Sequence, residues 1–254
     1  KIRMGKASAL PFIFRKSWIM LRIHKINKQF GNKCVLKDLS IKFSDKGVAV
    51  IVGLNGSGKS VFLNTITGLL SKDSGEITLN GSDFSSVYFK ERIFLIPSDS
   101  LMPEYLTGKE YAEFILSRYP NSSRDMYNRL IDLLGMAEAQ KEVIESYSFG
   151  MKKKIQIAIA LSLNVDYLLA DEVFSGLDFE TVILVQEIIK LISKKQKIVL
   201  VSHEENIINC FSEEIYLMKN GKLRSYWGSA QQLSKLLIQE GRVHERVDTI
   251  KELI

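Results

Sequence analysis

The stretch GLNGSGKS, Gly53–Ser60, decides the fold class. It matches the pattern G-x-x-x-x-G-K-[ST] and lies between the unbroken apolar run GVAVIV and a helical pattern, which is the context this motif requires. The backbone N–H groups of such a turn, together with the positive end of the helix, form a cradle for phosphate oxygens. Lys59 adds a positive charge for the terminal phosphates, and Ser60 offers its hydroxyl to Mg²⁺. We therefore predict a phosphate-binding loop between a strand and a helix.

Two further apolar runs end in residues that can complete such a site. The run YLLADE brings Asp171 and Glu172 to the carboxyl end of a strand, where ligands of open α/β sheets bind. Successive side chains on a strand point in opposite directions, so one acid can bind Mg²⁺ or its water while the other polarises a nucleophilic water. The run KIVLVS is followed by His203 at the same predicted edge. His24, in the first strand pattern, and His244, in a polar tail, are expected to be structural or solvated.

The composition narrows the class of protein. With 254 residues, 46% hydrophobic and 25% charged, the chain is typical of one large globular domain, or of a core with a subdomain. The net charge of +6 comes from lysines scattered among acids, which fits a surface near anionic lipid as well as it fits a nucleic-acid partner. Cys34 and Cys210 are too few and too distant for a disulfide framework, so we expect core residues in a reducing compartment. No apolar run reaches the ~20 residues that span a bilayer.

The residue patterns predict an α/β fold in three parts. Residues 1–20 are interpreted as an N-terminal extension, either disordered, membrane-skimming or the product of cloning or upstream translation. Residues 21–240 form the main domain, with an inserted helical subdomain at about 99–163. Residues 241–254 are amphipathic enough for a C-terminal helix or tail.

Strands and helices alternate over most of the main domain. Strand patterns occur at residues 21–30, 35–43, 47–52, 75–81, 167–172 and 197–202, and a hairpin pattern occurs at 214–228 around Asn220-Gly221. Helical patterns occur at residues 58–70, 108–119, 123–136, 150–163 and 179–193. We expect a mainly parallel sheet with flanking helices, an antiparallel β subdomain and an inserted α-helical subdomain.

The stretch ESYSFGMKKKIQ precedes the fourth helical pattern. Ser148 is predicted to cap that helix, with Gly150 in its first turn. The lysines at residues 152–154 favour a solvated helix face, with an electrostatic contribution to a nearby nucleotide left open.

In their order along the chain, these motifs resemble those of the nucleotide-binding subunit of ATP-binding cassette (ABC) transporters, over about residues 21–227. GLNGSGKS resembles the Walker A loop, YLLADE the Walker B strand with the catalytic glutamate, SGLD the D-loop and SH the switch histidine. YSFGMKKK takes the place of the signature loop, and LIPSDS that of the Q-loop. The resemblance implies a P-loop NTPase core and a head-to-tail dimer, in which each ATP lies between the Walker A loop of one subunit and the signature loop of the other.

The resemblance also implies ATP and Mg²⁺ as cofactors and assigns the site residues. It makes Glu172, His203 and Lys59 catalytic: Glu172 would orient or deprotonate water, and His203 would hold the γ-phosphate or the attacking water. Ser60, Asp171 and Ser98 would bind the metal. The residues implied to bind nucleotide are Phe30, Gly53, Leu54, Asn55, Gly56, Ser57, Gly58, Lys59, Ser60, Val61, Ser98, Ser148, Gly150 and Asp178.

Three departures from the family pattern matter. Ser98 stands at the Q-loop position in place of glutamine, so metal affinity or communication with a membrane partner can differ, and Asp99 is a candidate to compensate. The signature reads Ser-Phe-Gly-Met, so Phe149 replaces a small residue. Val173 replaces the proline that usually follows the glutamate.

The resemblance implies an ATP-hydrolysing subunit at the cytoplasmic face of a bacterial cell membrane. Its partners would be a transmembrane permease and a second ABC ATPase subunit, identical or paralogous, and no nucleic acid is expected. The signature resembles that of exporters of peptides, drugs, lipids or polysaccharides. One alternative is a soluble ABC ATPase that acts on nucleic acid or ribosomes. Another, suggested by Ser98 alone, is a module that binds ATP and hydrolyses it poorly.

Overall fold

The computed structural model describes residues 20–99 and 101–241. The predicted N-terminal extension, apart from Met20, and the predicted C-terminal helix, apart from Gly241, lie outside the described residues.

Strands and helices are interspersed along the described part of the chain. The strands are β1 (Leu21–Phe30), β2 (Lys33–Phe43), β3 (Gly47–Val52), β4 (Ser74–Leu79), β5 (Ser82–Asp83), β6 (Ile93–Ile96), β7 (Tyr167–Asp171), β8 (Lys197–Val201), β9 (Ile215–Lys219) and β10 (Lys222–Tyr226). The helices are α1 (Lys59–Ile66), α2 (Val87–Lys90), α3 (Gly108–Leu116), α4 (Arg124–Leu133), α5 (Phe149–Ser162), α6 (Phe179–Ile192), α7 (Glu205–Cys210) and α8 (Ala230–Glu240).

The larger sheet positions the site. Its strand order is β10-β9-β3-β8-β7-β6, and all of its pairings are parallel except the β9–β10 hairpin at one edge. β7 and β8 are buried at every residue and β3 at all but its first, which is typical of strands covered on both faces. Because β3, β8 and β7 are parallel neighbours, the segments that follow them meet at one edge. The predicted α/β fold with a mainly parallel sheet is confirmed.

The predicted antiparallel subdomain is the smaller sheet, with strand order β2-β1-β4-β5. Its apolar face packs with α1 against one face of the larger sheet, and the shared core includes Leu21, Ile23 and Phe62. The hydroxyl of the buried Tyr167 accepts a hydrogen bond from the Leu21 N–H at 2.9 Å and lies 3.3 Å from the Phe43 carbonyl oxygen. One tyrosine on β7 therefore joins the two sheets.

The helices α3, α4 and α5 pack on the other face of the larger sheet. Thr107 and Glu110 form a capping box at the start of α3, and Ser123 caps α4. Both helices pack against α5, whose residues from Ile155 onward are buried on all sides. The bounds predicted for these three helices agree with the structure to within three residues.

The sequence patterns missed several elements. β6 has only four residues and takes its place by pairing with β7, some seventy positions later in the chain. α7 and α8 were not predicted, although Ser229 and Gln232 form a capping box before α8 that a search for caps would have found. Cys34 and Cys210 were expected to be core residues; both are free thiols that are only partly buried, and Cys210 packs against the larger core cluster. Of the helices that the structure describes, none has the length and apolar character needed to cross a bilayer.

Candidate active site

The loop between β3 and α1 depends on its glycines. Gly56 and Gly58 have φ angles of 75° and 106°, in the left-handed region that glycine adopts without strain. A Cβ atom on Gly53 would lie 2.5 Å from the carbonyl oxygen of Met218 on β9. The loop therefore packs directly on the neighbouring strand and leaves its other side open.

That open side lines a cleft of about 460 Å³. Its walls are formed by Phe30, Lys33, Val35, Asn55, Gly56, Gly58, Lys59, Ser60, Val61 and Glu172. The Ser57 hydroxyl, within the loop, is buried and has no hydrogen-bond partner among the described residues. Buried polar atoms are normally paired, so an unpaired hydroxyl in a glycine-rich loop fits a site that an anionic oxygen completes.

Lys59 is held inside the loop that it follows. Its Nζ donates to the carbonyl oxygens of Gly53, at 2.8 Å, and Leu54, at 3.3 Å. Burial lowers the pKa of Lys59, and the negative charges of Glu172 and Asp171 partly oppose that shift. The ammonium thus faces both the cleft and the two acids that were predicted to act with it.

Asp171 ends β7 and is buried beside Ser60. Burial raises the pKa of Asp171, while a side-chain hydrogen bond from Ser60 lowers it. The Ser60 hydroxyl lines the cleft and is hydrogen-bonded to the Asp171 carboxylate. Both groups are oxygen ligands of the kind that Mg²⁺ accepts alongside phosphate oxygens. The donor set therefore fits the predicted ion.

Glu172 lines the cleft, and His203 contacts it from outside the residues that form the cleft walls. Glu172 has a φ angle of 49°, a left-handed conformation that is uncommon outside glycine and often found at functional sites. Its backbone N–H donates to the Val201 carbonyl at 3.0 Å, which ties the turn after β7 to β8. His203 Nδ1 lies 3.2 Å from Glu172 Oε1. A carboxylate and an imidazole so placed can orient a water molecule and hold its proton.

Phe30 and Ser98, also predicted to bind nucleotide, differ in their position relative to the cleft. Phe30 lies at the cleft with its ring half exposed. Ser98, by contrast, is not among the lining residues, and its carbonyl oxygen accepts a hydrogen bond from Lys153 at 2.8 Å. The metal-binding role of Ser98 stays a prediction.

The signature residues lie away from the cleft of their own chain. Ser148 caps α5, as predicted, and its hydroxyl accepts from the Met151 N–H at 3.2 Å. Phe149 rests on Gly176, where an added Cβ would lie only 2.3 Å from the ring. Neither Ser148 nor Gly150 is among the described residues that line the cleft. Within the described residues, the helix start that was predicted to grip phosphate therefore lies apart from the cleft lined by the Walker A loop.

The run of three lysines is not the solvated face that the sequence favoured. Lys153 is 0% exposed, and each lysine reaches a different segment. Lys152 pairs with Glu104 at 2.8 Å. Lys154 pairs with Asp178 at 2.9 Å, and this contact, with hydrogen bonds from Thr181, holds the pKa of Asp178 well below its usual range. The partners of these lysines come from distant segments, so the local sequence pattern does not show that this helix face is covered.

The fold and the cleft together define a P-loop nucleotide hydrolase, and comparison with known proteins narrows that class. The family model described as ABC transporter matches residues 36–175. A petrobactin import ATP-binding protein of Bacillus subtilis is 26% identical over 216 residues, covering 80% of this chain and 85% of that protein. A phosphonates import ATP-binding protein of Fusobacterium nucleatum is 25% identical over 231 residues, covering 84% and 94%.

Solved structures agree at the level of the fold. The structure of an ATP-binding subunit of an ABC transporter superposes with a TM-score of 0.74 at 23% identity, covering 85% of this chain and 92% of that one. A bacterial Atm1-family ABC exporter with ATP bound gives a TM-score of 0.72 at 20% identity, covering 90% and 42%. The chain belongs to the ABC transporter family, and it is an ATP-binding subunit whose ATPase activity drives transport.

Proposed function

We propose that the cleft binds Mg²⁺-ATP and that Glu172 and His203 direct its hydrolysis. The observation that supports this most is the convergence of Lys59, Asp171 and Glu172 where β3 and β7 end, with His203 beside Glu172. Phosphoryl transfer needs positioning and charge stabilisation more than covalent chemistry, and these groups supply both. Mg²⁺ would neutralise charge that develops on the phosphates.

In this proposal each group has one task. The loop N–H groups and Lys59 bind the phosphates, and Phe30 stacks on the base. Ser60 and Asp171 hold the ion. Glu172 orients or deprotonates the attacking water, and His203 holds that water or the terminal phosphate in place.

The metal assignment is tested by binding rather than by turnover. We expect Asp171→Asn to bind a fluorescent ATP analogue at least about tenfold more weakly than wild type when Mg²⁺ is present, because a charge-assisted contact is lost. With EDTA the two proteins should bind alike. If Mg²⁺ strengthens binding equally in both proteins, Asp171 does not hold the ion.

We further propose that two such subunits, identical or paralogous, enclose each nucleotide. Support comes from the exposed start of α5 and from the separation of Ser148 and Gly150 from their own cleft. With hydrolysis blocked by Glu172→Gln, ATP should convert the purified chain to dimers in size-exclusion chromatography with light scattering. Ser148→Arg in the same background should abolish dimerisation, and dimers that persist would contradict the proposal.

The second partner is proposed to be a transmembrane permease, which places the subunit at the cytoplasmic face of the cell membrane. Leu101 and Tyr105, in the segment that precedes α3, are more than 80% exposed and offer an apolar docking surface. The two relatives compared by sequence above are import proteins, whereas the stretch YSFGMKKK favours an exporter of peptides, drugs, lipids or polysaccharides. We propose export on that stretch alone.

Affinity purification from detergent-solubilised membranes tests the partner. The proposal predicts recovery of a protein with about six spanning segments, reduced by Tyr105→Asp and unaffected by nuclease. Recovery of nucleic acid or ribosomes in its place would support the alternative ATPase class. Transport of labelled cargo out of vesicles or into them then decides the direction.

A further inference from the structure

We propose that Lys153 is a positioning residue for ATP hydrolysis: it fixes the turn at Pro97–Ser98 to the start of α5 and thereby holds the Q-loop segment beside the metal-binding edge of the sheet. This inference rests on the proposed active site and assigns that site a fully buried residue that lies outside the cleft walls.

Lys153 is buried and hydrogen-bonded to the backbone of a distant segment. The residue is 0% exposed, and its Nζ donates to the carbonyl oxygens of Pro97 and Ser98, both at 2.8 Å. The same ammonium lies 5.6 Å from the centre of the Phe149 ring. A buried cation is costly unless hydrogen bonds satisfy it, so this arrangement persists because two carbonyls and an aromatic face receive the charge.

The anchored turn lies next to the site. Ile96, the last residue of β6, is paired with Ala170 of β7. One step further along the two strands, Pro97 therefore stands beside Asp171, at the edge where the predicted metal ligand ends β7. A displacement of this turn would reach Asp171 through adjacent backbone.

The other end of the anchor lies in the signature helix. Lys153 is five residues after Ser148, within the first turns of α5. One side chain thus links the helix start that is proposed to serve the partner's nucleotide with the edge that serves its own. This link does not depend on the side chain of Ser98, because Lys153 donates to the backbone carbonyls of Pro97 and Ser98.

The neighbouring lysines provide a matched control. Lys152 has the same charge on the same helix, but it pairs with Glu104, whose side chain is 60% exposed, and such pairs contribute little. Lys197 provides a second control, because it is also 0% exposed but lies at the first residue of β8, the opposite edge of the sheet. Its partners are Ser44, Lys46 and Glu214.

The test compares Lys153→Met, Lys153→Arg, Lys152→Met and Lys197→Met in the purified full chain. We expect Lys153→Met to lower kcat about tenfold while KM for ATP changes less than about threefold, because misplacement of a supporting segment affects the reacting geometry more than ground-state binding. Lys153→Arg, which keeps a cationic donor, should recover most of kcat. Both control variants should keep the kcat of wild type at temperatures where they are folded.

Hydrogen exchange gives a readout independent of turnover. In Lys153→Met the amides of residues 98–99 should exchange faster than in wild type, with no such change in either control. If Lys153→Met does not fold, Lys153→Gln, which is too short to reach both carbonyls, replaces it with the same expectation.

Three results would overturn the inference: a kcat for Lys153→Met within about twofold of wild type, an equal loss in Lys152→Met, or unchanged exchange at residues 98–99. Loss of hydrolysis in the wild-type chain itself would instead refute the proposed site. The two failures are therefore distinguishable.

Discussion

Replacing Gly53 with alanine is expected to weaken both the fold and ATP binding. The new Cβ would lie 2.5 Å from the Met218 carbonyl oxygen and 2.8 Å from Ser57 Oγ, whereas a relaxed carbon–oxygen contact is about 3.3 Å. The loop must therefore move by about 0.8 Å to relieve the contact with the Met218 oxygen, and overpacking of this kind costs about 1–3 kcal/mol. Because the carbonyls of Gly53 and Leu54 also hold Lys59, the movement displaces that ammonium as well.

We expect urea unfolding to show a loss of about 2 kcal/mol for Gly53→Ala. Loss of one charge-assisted phosphate contact should weaken ATP binding by about ten- to a hundredfold in a fluorescence titration. Gly47→Ala is the matched control, because Gly47 begins the same strand with a φ angle of 87° and has no atom within 4 Å of an added Cβ. It should lose about 1–2 kcal/mol of stability and bind ATP normally. Equal ATP affinity in the two variants would refute the reasoning.

Two further predictions concern side chains outside the cleft. Lys154 and Thr181 depress the pKa of Asp178 in the folded chain, so its contribution to stability is present at neutral pH and is lost as the pH falls below the ordinary value of 3.8. Asp178→Asn should therefore be less stable than wild type at pH 7 in urea unfolding, and the difference should shrink in acid; a constant difference would show that the charge is irrelevant. Lys197→Met leaves Glu214 without its buried partner and should cost about 3 kcal/mol of stability. Its ATP turnover per folded molecule should equal that of wild type, and lower turnover would place Lys197 in the catalytic network.

The buried parallel strands and the glycine-rich loop could be predicted from short stretches of sequence. The apolar runs of β3, β7 and β8 and the glycine-rich loop could be read directly, because a buried parallel strand is apolar throughout and a phosphate loop needs glycines with left-handed angles. The same runs predicted that Lys59, Asp171 and His203 would meet, since the ends of parallel strands share one edge.

Contacts between distant segments could not be read in this way. Lys153 and the turn it anchors are 55 positions apart, and nothing in a run of lysines tells a solvated side chain from one that donates to backbone carbonyls. The left-handed conformation of Glu172 likewise occurs together with a backbone hydrogen bond to Val201, on a strand that lies far along the chain. β6 is too short to be recognised without its partner strand.

The central claim is that Glu172, held beside His203, directs the water that attacks ATP. The most direct test is the steady-state hydrolysis rate of Glu172→Gln, measured beside its affinity for ATP in the presence of Mg²⁺. General-base or water-orienting catalysis by a side chain contributes about 10²–10⁴-fold, so the rate should fall by at least about a hundredfold while ATP affinity stays close to that of wild type. A rate near that of wild type, at equal affinity, would contradict the account.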